Sequence, residues 1–296
     1  MGSAVAEHLS FAGRMRAETW PLFWEEDARL EQLRRIETRI GATAVDRDAP
    51  LAIVWSAGRA GFEATPAEAE AELKSFAEVL ALGRRVRDRF PRAPVHFLLF
   101  SSAGGLFEGQ VQITGDSRPA PRRPYGDVKL AEEEMLKSGA PGVRKTILRL
   151  SSVYGRIRRG HRSGLISTLL FNGMQRRVSR IVGSMSTLRD FIWAEDVAGF
   201  AARRILSVRP QAEISEETLA SGRPTSILEA RKLVEDVLRH AIFVSHSTDP
   251  SNRADITFSP GLRPRGWRPG RLETHLRILS QQALGIPADS LPQISS

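Results

Sequence analysis

The chain has 296 residues, 41% hydrophobic and 26% charged, which is enough apolar material for one full core or two joined ones. Its 43 basic and 34 acidic residues leave a formal charge of +9, and cysteine is absent, so disulfides, thiolate metal sites and cysteine nucleophiles are excluded. No apolar run is longer than a buried strand and no signal-peptide pattern opens the chain; a membrane span and wholesale disorder are not expected, and the cytosol is the expected compartment.

In chain order, Leu30, Leu33, Ile36 and Ile40 recur at helical spacing and predict a helix over 28–40. Leu51–Trp55 is a continuous apolar run, the pattern of a strand covered on both faces. Thr65-Pro66 opens a helix running to about Arg87, a cap followed by proline. Val95–Phe100 is the next buried strand, Pro124-Tyr125 opens a helix to about Lys137, and Lys145–Leu150 is a further strand. This alternation predicts an α/β fold, a doubly wound parallel sheet with helices on both faces. Beyond Gly155 come a helix near 166–176, an amphipathic helix over 196–205, and a capping box, Ser226 to Glu229, before a helix ending near His240. Trp20–Trp24 reads as the remnant of another strand.

The basic residues are nearly all arginine and are spread along the chain, with local clusters at 156–162 and 263–268. They suit a small anionic ligand better than a long polymer, so no nucleic-acid partner is expected; an RNA-binding protein on this scaffold is the rival reading. The histidines at 8, 96, 161, 240, 246 and 275 show no paired metal spacing, and no metal is expected. Glu132, Glu133 and Glu134 read as a water-facing helix exterior.

The chemistry-bearing stretch is Phe100-Ser-Ser-Ala-Gly-Gly105 followed by Tyr125-Gly-Asp-Val-Lys129. Residues i and i+4 share a helix face, so Tyr125 and Lys129 point the same way. An ammonium beside a phenol favours the phenolate, and such a tyrosine can move the proton that accompanies hydride transfer at a carbonyl or alcohol. A serine at the end of the preceding strand, Ser102 or Ser101, would hold the same substrate oxygen.

These motifs, with Leu148-Arg-Leu-Ser-Ser-Val-Tyr-Gly155, Arg189-Asp-Phe-Ile-Trp-Ala-Glu-Asp-Val-Ala198 and the Gly-Trp-Arg-Pro turn at 266–269, resemble the extended short-chain dehydrogenase/reductases. More narrowly, they are similar to the NAD-dependent epimerase/dehydratase group acting on nucleotide sugars, over about residues 2–280. The resemblance implies Tyr125 as acid/base and Lys129 as the nicotinamide-ribose ligand that tunes it. It further implies Gly2, Ser56, Ala57 and Gly58 along the dinucleotide, and Leu150, Ser151 and Ser152 bordering the nicotinamide. Arg189, and secondarily Arg253, would meet the substrate phosphates, for which a planar guanidinium is apt.

The cofactor is expected to be NAD or NADP, with NAD favoured. The expected partner is a nucleotide-sugar substrate in a polysaccharide pathway, and a homodimer is possible. Ala103 stands where the family usually has its catalytic hydroxyl. Ala103-Gly-Gly105 lacks the dehydratase Asp-Glu pair, which favours epimerase or reductase. Gly2 reads as the last glycine of the dinucleotide turn, with the first strand and earlier glycines missing. That implies a Rossmann-like domain (1–157 and 189–207) truncated at its N-terminus, a smaller substrate domain (158–188 and 208–285) and a loose tail (286–296). A catalytically impaired family member with weak dinucleotide binding is the second reading.

Overall fold

The structure, a computed structural model, describes residues 1–11, 15–43, 48–59, 61, 64–139, 141–155, 164–207, 213–247 and 254–284. They fall into two compact units. The first comprises Met1–Leu106, Pro119–Arg149 and Ala198–Thr218; the second comprises Phe107–Arg118, Leu150–Val197 and Leu219–Ser296.

The first unit is a layered α/β structure. Its elements are α1 (Gly2–Phe11), α2 (Glu26–Thr43), β1 (Leu51–Trp55), α3 (Pro66–Arg89), β2 (Val95–Ser102), α4 (Ala103–Leu106), α5 (Pro124–Gly139) and β3 (Arg144–Leu150), with most of α7 (Ala194–Leu206) and β8 (Ile214–Leu219). The strands are ordered β1-β2-β3-β8. β1 and β2 run parallel, with Leu51 opposite Val95 and Trp55 opposite Leu99. Between β2 and β3, the His96 ring bridges two side chains: Nε2 lies 2.9 Å from Thr146 Oγ1 and Nδ1 2.6 Å from Arg144 Nη2. Because a guanidinium only donates, Nδ1 accepts and Nε2 carries the hydrogen. Burial, and then the Arg144 charge, push the ring down to about 3, so it stays neutral.

Every residue of β2 from Val95 to Ser101 is buried, as a strand sandwiched by helices requires. Phe97 and Leu99 enter a core with Phe76, Val79, Leu80 and Val86 of α3 and Leu136 of α5. Leu98 and Phe100, on the other face, are buried as well. Thr65 caps α3 through a reciprocal pair with Glu68, and Pro66 occupies the first turn, where its missing N–H costs nothing.

The expected strand at Trp20–Trp24 does not form: residues 15–24 carry neither helix nor strand. Pro21 can donate nothing to a ladder. The Gln32 side chain takes up the backbone instead, its Oε1 accepting from Phe23 N–H at 3.2 Å and its Nε2 donating to the Pro21 carbonyl at 2.7 Å. Trp20 and Phe23 are left exposed.

The second unit contains β4 (Ser152–Tyr154), α6 (Leu165–Met174), β5 (Ser179–Val182), β6 (Leu188–Arg189), β7 (Phe191–Trp193), β9 (Thr225–Ser226), α8 (Ile227–Leu238), β10 (Val244–Ser247) and α9 (Leu272–Leu284). Among the described residues β4 pairs with β7 and β5 with β10 in parallel, and β6 pairs with β9 antiparallel. Its core packs Ile166, Leu169 and Leu170 of α6 against Ala230 and Val234 of α8 and Leu276 and Leu279 of α9. Ser226 caps α8 by accepting from Glu229 N–H at 3.0 Å, and Arg239 ends it in the left-handed region. Among the described residues no helix is long and apolar enough to cross a membrane.

Candidate active site

In the first unit, most of the residues singled out from the sequence gather at the carboxyl ends of β1 and β2 and along α5. Tyr125 and Lys129 share a face of α5, with Lys129 Nζ 5.9 Å from the centre of the Tyr125 ring. α5 comes close to α4 because both contact positions are glycines. A Cβ on Gly126 would collide with the Gly105 carbonyl, and one on Gly105 would stand 3.0 Å from the Tyr125 ring carbons. Gly2, at the start of α1, lies against Ser56, since a Cβ there would be 2.5 Å from Ser56 Oγ. This is the close helix–strand approach that a glycine permits.

Lys129 is 4% exposed and is held by two carboxylates, Glu72 Oε1 at 2.7 Å and Glu132 Oε2 at 2.8 Å. Glu132 also accepts the Trp55 indole N–H at 3.0 Å, and Glu72 accepts Arg59 N–H at 2.6 Å. Burial pulls the ammonium of Lys129 down, but Glu132 and then Glu72 outweigh it and hold its pKa above the usual lysine range. One cation cannot compensate two buried carboxylates, and burial pushes Glu132 up to about 7 against the pull of Lys129. Gly58 borders this cluster: its Cβ would stand 3.5 Å from Glu72 Oε1 and 3.7 Å from Lys129 Nζ.

The reading of Glu132–Glu134 as a water-facing run is therefore corrected: Glu132 and Glu133 are fully buried and only Glu134 is exposed. Residues 125, 129 and 132 follow an i, i+4, i+7 spacing, which places Glu132 on the Tyr–Lys face. Glu72 stands four residues before the core residue Phe76 on α3 and so shares its inward stripe. Those two spacings were the available signals.

The two serines differ in their bonding. Ser101 is buried and donates to Glu133 Oε1 at 2.6 Å, while Glu133 also pairs with Arg149 at 2.6 Å. Arg149 further contacts Glu216. Ser102 is half-buried and accepts Gly105 N–H at 3.1 Å, so its hydroxyl hydrogen is not spent in that bond.

In the second unit, Ser151 donates to Asp190 Oδ1 at 2.8 Å, and Ser152 N–H reaches the Asp190 carbonyl at 3.0 Å. Asp190, which the sequence did not mark, is the hub of this segment. It also accepts Ser221 N–H at 2.7 Å, Ser221 Oγ at 2.8 Å and Arg223 N–H at 3.2 Å. Burial pushes its carboxyl up, and these donors oppose that push. Leu150 is buried. Arg189 donates to the Leu188 carbonyl at 3.0 Å and the Ala254 carbonyl at 2.6 Å. Arg253 lies outside the described residues. Elsewhere in the unit, Tyr154 OH and His275 Nδ1 are 2.8 Å apart in a buried pair, with the Trp193 ring 3.8 Å from the imidazole.

Helices on a parallel sheet, with a tyrosine and a lysine one helical turn apart on a helix beside the strand ends, define a Rossmann-like α/β protein. The NAD dependent epimerase/dehydratase family matches residues 2–212, and the chain belongs to that family. Among solved structures, the chain is similar to the UDP-glucose 4-epimerase of Thermus thermophilus complexed with NAD. The TM-score is 0.76 at 18% identity, covering 97% of this chain and 96% of that one. It is also similar to the UDP-glucose 4-epimerase of Thermotoga maritima with UDP-glucose (TM-score 0.69, 17% identity, 86% and 82% covered). A third is the UDP-glucuronic acid 4-epimerase of Bacillus cereus (TM-score 0.65, 15% identity, 84% and 78% covered). No curated protein matches the chain.

Proposed function

We propose that the chain is an NAD-dependent oxidoreductase of the epimerase type acting on a nucleotide-activated sugar. The observation that carries this reading is the placement of Lys129 over the Tyr125 ring, beside Gly58 at the end of β1. The residues suit a dinucleotide: the ends of parallel strands are where such ligands lie in open α/β sheets, and Gly58, in the turn after β1, lies against the buried Glu72 and Lys129, a Cβ there standing 3.5 and 3.7 Å from them. Ser56–Gly58 and Gly2 would line it through their backbone, and Lys129, buried against its two carboxylates, would turn from them to meet a ribose hydroxyl. Leu150, Ser151 and Ser152 are assigned to the nicotinamide side, and Arg189 to the substrate phosphates.

When bound, the nicotinamide supplies hydride acceptance and return. The chain's own part is proton movement and orientation. Tyr125 takes the proton of the sugar hydroxyl as its carbon is oxidised and returns it on reduction. Ser102, with its hydrogen available, orients the same oxygen, while Ser101 is committed to Glu133. The nucleotide-sugar class is supported by the neighbours crystallised with UDP-glucose and UDP-glucuronic acid. The test is to incubate the chain with NAD⁺ and UDP-glucose or UDP-glucuronic acid and follow the C4 epimer by NMR. Conversion that disappears in Tyr125→Phe is expected; conversion unchanged in that variant would refute the role of Tyr125.

A second reading, a family member with impaired dinucleotide binding, has one observation behind it: two of the three Lys129 donors are already taken by buried carboxylates.

A further inference from the structure

We infer that Glu72 and Glu132 are positioning residues for Lys129, and that turning Lys129 toward a dinucleotide draws a proton from solvent onto Glu132. This rests on the dinucleotide reading above and deepens it. An ammonium has three N–H groups, and Lys129 spends two of them on carboxylates at 2.7 and 2.8 Å. The groups facing this ammonium come from every neighbouring element. α5 supplies Tyr125 and Glu132, and α3 supplies Glu72. β1 supplies the Trp55 indole on Glu132, and the turn after it supplies Arg59 N–H on Glu72. Glu133, next on α5, is engaged with Ser101 and Arg149 instead.

The two carboxylates are not equivalent. Glu72 is steadied by a backbone N–H at 2.6 Å in addition to the lysine, whereas Glu132 has the lysine and a neutral indole. Both are fully buried, so any withdrawal of the lysine charge leaves a carboxylate in a medium that solvates it poorly. Glu132 is already pushed up to about 7 with the lysine in place. Its proton affinity can only rise when Lys129 swings to a ribose hydroxyl. The proton passes from solvent to a Glu132 oxygen, and no other bond is made or broken. Above about pH 7 each binding event therefore takes up a proton; well below that, Glu132 already holds it and the uptake vanishes. Affinity for the dinucleotide should consequently fall as pH rises above 7, by up to tenfold per unit.

The experiment is calorimetric titration of NAD⁺ into the full chain at pH 8, in phosphate and in Tris, whose ionisation enthalpies differ widely. The expected result is a buffer-dependent heat equivalent to proton uptake in the native chain, absent in Glu132→Gln and reduced in the native chain at pH 6. Saturable binding whose heat is the same in both buffers would overturn this inference and leave the functional reading standing. Binding with undiminished uptake in Glu132→Gln would overturn the assignment to Glu132. The absence of any saturable heat would overturn the functional reading and this inference with it.

Discussion

Lys129 and Glu132 lie one turn apart on α5 and form a 2.8 Å ion pair with both side chains sealed from water. The same lysine reaches Glu72 on α3, so a single cation ties two helices together beneath the strand-end turns. Buried charge of this kind adds little net stability; its cost of desolvation is repaid only while every partner stays in place.

That cost has a sign. Glu132 moves from about 4.5 to about 7 on folding, chiefly through burial. The native state therefore binds the extra proton, and the stability tied to it is complete below about 4.5 and is lost as pH rises through about 7. At roughly 1.4 kcal/mol for each tenfold change in proton affinity the loss amounts to roughly 3–4 kcal/mol at most. Melting curves of the native chain should show a lower Tm at pH 8 than at pH 6. In Glu132→Gln that difference should shrink, and an equal slope in both proteins would remove Glu132 as its source.

Removing the phenol oxygen separates chemistry from binding. Tyr125→Phe keeps the ring that packs on Gly105 and lies beneath Lys129. Turnover should fall about 10²–10⁴-fold, as for a lost general acid/base, with KM little changed. Steady-state kinetics on the nucleotide sugar that is converted measure both.

The two strand-end serines should behave oppositely. Ser101→Ala strips a donor from the fully buried Glu133 and should cost about 1–3 kcal/mol of stability with kcat preserved. Ser102→Ala leaves that network alone and should lower kcat with little loss of stability. Denaturant melts and rate measurements on the two variants check the contrast; a kcat loss confined to Ser101→Ala would reverse the assignment.

Much of the first unit was legible because its signals are local and apolar. The runs at Leu51–Trp55 and Val95–Phe100, and the cap at Thr65-Pro66, need no tertiary information to be read. The Tyr125–Lys129 pairing follows from helical spacing alone. The buried carboxylates were misread because charge normally marks the solvent face, and only the lysine and arginine that come to meet Glu132 and Glu133 make their burial tolerable. Those partners lie on other elements or rely on a face whose inward direction the sequence does not state. Trp20–Trp24 failed for the reverse reason: its aromatic content resembles a strand, but Gln32, on the following helix, competes for its backbone. The hub role of Asp190 was hidden because its donors at 221 and 223 are distant in sequence.

The outer faces of α3 and α5 leave a groove lined by Pro66, Ala69, Leu73, Pro124, Val128 and Ala131 together with the charged Glu70, Lys74 and Asp127, and the homodimer expected from the sequence can be tested there. If that face pairs, size-exclusion chromatography with light scattering will report a dimer, and Leu73→Glu will shift it to monomer with the fold retained. A monomeric native chain would dispose of the pairing.

Whether the ground beside Lys129 and Gly58 is a dinucleotide site is tested most directly by a fluorescence titration with NADH. Saturable micromolar binding to the native chain is expected, displaced by NAD⁺ and weakened at least tenfold in Gly58→Val, whose added carbons fill the space against Glu72 and Lys129. Equal affinity in the two proteins, or no saturation in the native chain, would contradict it.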